Sequence, residues 1–161
     1  MDMGELKAVF EKISFSDVST YINSGNVLFS SKTEPSAEKI EKAIEKKFGF
    51  PVRTLVRDIK ILKEIVSNTP IDWSNDKDQK TDVLFLWDGY DSKKSIDLIK
   101  TNDKVDTLVY VKKSIVWHID KKDYSKSGMN KFIGTEVYKN MTARNINTVR
   151  KLVELSEIRC E

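Results

Sequence analysis

Residues 105–119 carry the most restrictive pattern in the chain. Val105, Thr107, Val109 and Val111 alternate along one segment, and Ile115, Trp117 and Ile119 alternate along the next. A period of two places each set on one face of an extended strand. The intervening Lys112-Lys113-Ser114 predicts a hairpin. Before it, Asp82 to Trp87 is a run of consecutive apolar residues after its first position, as in a strand buried on both faces. Asp91 is positioned to cap a helix carrying Ile96 and Ile99. After the hairpin, Ser127 predicts the cap of a helix with Met129, Phe132, Ile133 and Val137 inward. An extended piece at 142–144 then leads to a last helix from Ile146 to about Glu157, with Val149, Leu152 and Val153 inward. The order β, α, β, β, α, β plus a terminal helix is that of the split βαβ, ferredoxin-like plait.

The first half reads as α, β, β, α, β. Leu6, Val9, Phe10 and Ile13 have the spacing of a one-faced helix over 3–13, and Asp2 with Glu5 resembles a capping box. Residues 18–22 and 27–30 predict two strands around the turn Asn23-Ser24-Gly25-Asn26. A helix begins near Pro35 and Ser36, buries Ala37, Ile40, Ile44 and Phe48, and stops at Gly49. Val52 to Arg57 predicts a strand, and Asp58 caps a helix burying Ile61, Leu62 and Ile65. The expected fold class is therefore α+β, with two tandem ferredoxin-like subdomains, the first lacking its opening strand. The expected boundaries are 1–66, a linker loop at 67–81, and 82–161.

Composition narrows the class. Of 161 residues, 39% are hydrophobic and 33% charged, with a net charge of +3. A chain of this length buries a real core without metal or disulfide support. No apolar run approaches the roughly 18 residues of a membrane span, so no membrane partner is expected. The opening Met1-Asp2-Met3-Gly4-Glu5 has no basic or apolar signal region, and the single cysteine, Cys160, cannot bridge internally. A reducing, cytoplasmic setting is expected.

Catalytic and metal motifs are sparse. His118 alternates with Trp117 and Ile119 and so faces away from their buried side; it is a general-base candidate with no identifiable carboxylate partner. One histidine and one cysteine give no zinc spacing, and Asp72, Asp76 and Asp78 lack the glycine and final glutamate of a calcium loop. Cys160 reads as a free surface thiol. The six glycines satisfy no phosphate-loop pattern. No cofactor and no metal are expected, and the balance leans away from an enzyme.

Charge is the stronger clue. Residues 112–151 hold ten basic against three acidic side chains, a local excess of seven that favours a small anionic ligand or nucleic acid. Within it, Lys126, Ser127, Asn130, Arg144 and Asn145 are candidate contacts, Arg144 for its bidentate guanidinium. Asn145 also reads as the N-cap of the last helix. Asn23, Ser24, Gly25 and Asn26 form a candidate second wall, or simply a turn whose residues tolerate positive φ. Tyr110 and Trp117 lie on strands, as the aromatics of an RNA-binding sheet do, without the sequence pattern of that module.

Two segments together carry a resemblance. Thr20-Tyr21-Ile22-Asn23-Ser24-Gly25-Asn26-Val27-Leu28-Phe29 and Thr142-Ala143-Arg144-Asn145-Ile146-Asn147-Thr148-Val149, with Phe48-Gly49-Phe50-Pro51-Val52 and Leu84-Phe85-Leu86, resemble the bacterial family of domain of unknown function 1697. The resemblance implies paired ferredoxin-like subdomains and a cytoplasmic protein, and it implies no activity. Three positions depart from it. Members usually open with a strand and glycine-containing loop that this chain lacks, Gly128 stands where a lysine follows Ser127, and Ile146 replaces a common tryptophan. The missing strand leads to the expectation of either a start upstream of Met1 or an exposed sheet edge through which two copies pair. The sequence thus favours a binding module for a small anion or nucleic acid. An enzyme with a cleft between the halves, or a self-associating structural protein, are the alternatives.

Overall fold

The computed structural model describes residues 1–158. Cys160 lies outside the described residues. The chain is α+β and forms two compact units, Met1–Arg57 and the remainder from Asp58.

In the first unit, helix α1 (Met3–Lys12) starts where the Asp2 carboxylate accepts from the Glu5 N–H at 2.8 Å. Strands β1 (Ser16–Tyr21) and β2 (Asn26–Ser30) pair antiparallel, with Thr20 opposite Val27. Helix α2 (Ala37–Phe48) follows the Ser36 cap. Leu6, Val9, Phe10, Val18, Ile40 and Ile44 form the core, and the Phe15 and Phe29 rings stack against each other at 4.2 Å beside it. Val52–Arg57 is not the expected strand. Val52 and Val56 pack on the core, but the Thr54 N–H donates to the Glu41 carboxylate of α2 at 2.6 Å instead of to a neighbouring strand. The sheet here has two strands only.

The second unit begins with helix α3 (Ile59–Ser67), capped by Asp58. Strands β3 (Gln79–Leu86), β4 (Thr107–Val111), β5 (Ser114–Asp120) and β6 (Met141–Asn145) form an antiparallel sheet in the order β4-β5-β3-β6. Helix α5 (Ile146–Ile158) packs on β3, β6 and α3. That packing moves the boundary from residue 66 to Arg57, because α3 buries Leu62 and Ile65 within this unit. Residues 67–81 are not a linker either. The Arg150 guanidinium of α5 donates to the carbonyls of Trp73 and Pro70, at 2.6 and 3.1 Å, and Asn147 donates to the Asn75 carbonyl. Strand β3 starts three residues earlier than the expected Asp82, since the ladder is made by backbone and pairs Gln79 with Asp120.

On the other face of the sheet, Leu84, Leu86, Ile115, Trp117 and Ile119 meet Ile99, Met129, Phe132 and Val137. The two helices expected there are largely 3₁₀ turns. Lys93–Leu98 is one; its Ile96 and the following Ile99 are three residues apart, the 3₁₀ repeat. Ser92, not Asp91, occupies its N-cap, and Asp91 pairs with Lys113 at 3.2 Å. Ser127 caps a 3₁₀ turn at Gly128–Lys131, and helix α4 is only Glu136–Lys139. Gly134 interrupts the segment at φ 90°, which leaves Ile133 68% exposed rather than inward.

Candidate functional site

The β4–β5 hairpin closes through Lys112 and Lys113, both in the left-handed region at φ 38° and 62°. The right-handed twist of the flanking strands demands this primed turn, for which Asn-Gly is the strain-free choice. Two lysines there cost about 1–2 kcal/mol each in backbone strain. The turn forms one side of an open concavity completed by Glu64 of α3, by Asn68 just after that helix, and by Tyr110 and Val111 of β4. Tyr110 holds the turn in place: its hydroxyl donates to the Asp91 carbonyl at 2.7 Å and accepts from the Lys113 N–H at 3.1 Å. Lys112 lies 3.6 Å from Glu64, and both side chains are about half exposed. Surface pairs of that kind contribute about 0–1 kcal/mol, so a stronger anion can displace them.

His118 sits on the sheet face turned toward α5. Its Nδ1 is 2.8 Å from the Thr81 hydroxyl, and its ring stacks on Trp73 at 4.3 Å with an interplanar angle of 7°. Burial lowers its pKa, against the raising effect of the Asp120 and Asp72 carboxylates. Thr81 is fully buried, so its hydroxyl is no nucleophile for a substrate. Among the described residues no group of three or more His, Cys, Asp or Glu side chains converges as metal ligands would.

Asp106, which the sequence reading missed, is a carboxylate with four donors. One oxygen accepts from Trp117 Nε1 at 3.0 Å and the Ser127 hydroxyl at 2.6 Å; the other accepts from the N–H groups of Asn102 and Gly128 at 2.9 and 2.8 Å. Burial alone would raise its pKa, but these donors together hold it below the ordinary value. A Cβ on Gly128 would meet the Lys100 carbonyl oxygen at 2.3 Å, so the glycine is required by this close approach.

The candidate residues from the sequence are mostly engaged in local contacts of their own. Ser127 is buried and spent on Asp106, and its oxygen accepts from the Met129 N–H at 3.0 Å. The Asn145 side chain accepts from the Thr148 N–H at 2.9 Å and caps α5. Lys126 pairs with Asp123 at 2.8 Å, and Asn130 is exposed. Arg144, half-buried, donates to the Thr142 hydroxyl and the Ala143 carbonyl, and burial lowers its pKa. In the first unit, Asn26 is 8% exposed and donates to the Tyr21 carbonyl and Ser24 hydroxyl, which closes the turn containing Asn23 and Gly25. Trp117 is 4% exposed, so it offers no stacking platform for a base. Most of the basic excess in 112–151 meets acceptors from elsewhere in the unit: Glu64, Asp91, Glu154 and the carbonyls of Asp76, Pro70 and Trp73. A sum over one segment misses those partners.

Fold and site define a two-unit α+β protein with a lysine-bearing concavity in its second unit. The family model described as protein of unknown function (DUF1697) matches residues 1–117, and the chain belongs to that family. The tail at 142–149 lies beyond the matched residues. A conserved bacterial protein from Streptococcus pneumoniae has a similar solved structure, with 26% identity, a TM-score of 0.78, and coverage of 96% of this chain and 88% of that one. Comparison with curated proteins gives no match. No helix among the described residues is long and apolar enough to cross a membrane.

Proposed function

We propose that the protein is a noncatalytic binding module for a small multivalent anion, held at the concavity of Lys112, Lys113, Asn68 and Tyr110. The observation that carries this reading is the turn itself: the chain accepts two left-handed lysines where Asn-Gly would be free of strain. Backbone strain of this kind concentrates where side-chain chemistry is needed. Glu64 and Asp91 pair with the two lysines, so the ligand must offer several acceptor oxygens to compete for both ammonium groups, as phosphate does and chloride does not. The reading takes the second unit as a ferredoxin-like plait, whose strand order β4-β5-β3-β6 supports it, and takes the protein as cytoplasmic on its single cysteine. Catalysis is the weaker reading, since the His118 ring is engaged by a fully buried hydroxyl and stacked on an indole.

The test is an NMR titration with inorganic phosphate at low ionic strength, on the wild type and on Lys112→Ala/Lys113→Ala. Saturable shifts confined to residues 64–68 and 110–113, absent in the double variant, are expected. Identical shifts in both proteins would overturn the assignment. A short single-stranded oligonucleotide in place of phosphate tests the nucleic-acid form, with shifts spread along 121–151 as its signature.

A further inference from the structure

Strand β2 has a ladder partner on one edge only. Among the described residues, the sheet of the first unit holds β1 and β2 alone, and Val52–Arg57 joins no ladder although Val52 and Val56 pack on the same core. A bare edge offers a row of unpaired N–H and C=O groups to another strand, so folded proteins blunt their edges with charge, proline, a bulge or a covering segment. Three of the four outer edges in this chain carry such a device. On β1 the register shifts between Ser16 and Ser19, Asp17 stands at φ 50°, and α1 packs along the strand. On β4 the 3₁₀ turn at Lys93–Leu98 packs against the strand, and the Tyr110 hydroxyl is tied to the Asp91 carbonyl. On β6 the Arg144 guanidinium donates to the Ala143 carbonyl of the same strand.

The β2 edge carries none of these. Asn26-Val27-Leu28-Phe29-Ser30 has no charged residue and no proline, and the extra residue of the bulge belongs to β1. No helix packs along β2 as α1 does along β1. Val27 and Phe29 lie on the core and stay partly exposed, and Leu28 between them points to the opposite face. The five residues are also complementary to their own reverse. Laid antiparallel on a second copy about Leu28, Val27 falls opposite Phe29 twice, Asn26 opposite Ser30, and Leu28 opposite Leu28. Pairs of a β-branched with an aromatic side chain stabilise a sheet, and no like charges meet across this one. A single strand that matches itself is sufficient for a two-fold contact.

We propose that two copies of this chain pair through β2, antiparallel about a two-fold axis at Leu28, into a continuous sheet with the cores of the two first units side by side. The proposal is independent of the anion concavity in the second unit. One strand pair lies below the roughly 1,600 Å² of a stable complex, so the dimer is weak. It contains no ion pair, so it is insensitive to salt.

Sedimentation velocity of the full chain over a concentration series, at low and high ionic strength, tests it. The wild type is expected to show a concentration-dependent dimer whose dissociation constant does not move with salt. Leu28→Lys sets two ammonium groups opposite each other at the axis and is expected to weaken the dimer about tenfold or more, while Leu28→Ile retains it. A second readout stands even where Leu28→Lys fails to fold. Directly opposed residues of an antiparallel pair have Cα atoms about 4.5–5.5 Å apart, within the reach of a disulfide. Leu28→Cys in a Cys160→Ser background, oxidised with glutathione disulfide, is therefore expected to give a linked dimer. Ser30→Cys in the same background, whose two copies lie four residues apart along the ladder, is expected to stay unlinked. A wild type that is monomeric throughout overturns the proposal, as does a folded Leu28→Lys protein that dimerises like the wild type. A dimer dispersed by salt, or one linked by Ser30→Cys and not by Leu28→Cys, places association elsewhere and overturns it equally.

Discussion

At the scale of single residues, buried polar groups decide the local structure of the second unit. Asp106 replaces water with four donors, and an ionised carboxylate so bonded stabilises the fold only while every donor stays in place. Asp106→Asn turns one acceptor into a donor facing another donor. It is expected to cost about 2–3 kcal/mol, read as a lower midpoint in chemical denaturation. His118 gives a pH signature. Burial sets its folded pKa below the ordinary value of 6.5, so the unfolded chain binds the proton more readily. Stability is then full above that value and falls as pH drops through 6.5 toward the lowered folded pKa. Melting curves between about pH 7 and 5 should show this slope, reduced in His118→Gln; an equal slope in both proteins would contradict it. Neither the Asp106 clamp nor the Trp73–His118 stack was legible in the sequence. Their partners are separated by up to 45 positions, as with Trp73 and His118, and no local pattern links them.

At the scale of elements, local rules worked wherever a segment answers to its own neighbours. The caps at Asp2, Ser36, Asp58 and Asn145 and the alternation of β4 and β5 were all readable, because each depends on residues within a few positions. The misreadings share one cause. Ile96 with Ile99, and Met129 with Phe132, satisfy helical and 3₁₀ spacing alike, and packing against the sheet selected the tighter turn. Val52–Arg57 has strand composition, yet a carboxylate of α2 took one of its backbone donors. The β4–β5 turn allows a direct test of strain. Lys112→Asn/Lys113→Gly is expected to raise stability by about 1 kcal/mol or more while abolishing phosphate binding. A variant no more stable than the wild type would remove the strain on which the proposed site depends.

At the scale of the whole molecule, two cores divide the chain at Arg57 and Asp58. Leu6, Phe10, Ile40 and Ile44 close one, and the sheet of the second unit buries both of its faces. A chain beginning at Asp58 is therefore expected to unfold cooperatively with dispersed amide signals; collapsed, undispersed spectra would show that its core depends on the first 57 residues. What the sequence determined by itself is the class: α+β, one hairpin per half, most of its strands and long helices near their observed bounds, and membership suggested by two motifs. Periodicity and capping are short-range, so they survive in a one-dimensional reading. The tertiary structure alone decided that α3 belongs to the second unit and that Arg150 and Asn147 strap residues 70–75 onto α5. It alone showed that five of the ten basic side chains in 112–151 reach carboxylates or carbonyls outside that segment. Those outcomes depend on which surfaces meet in space, and burial and charge pairing are properties of neighbours in three dimensions rather than of order along the chain.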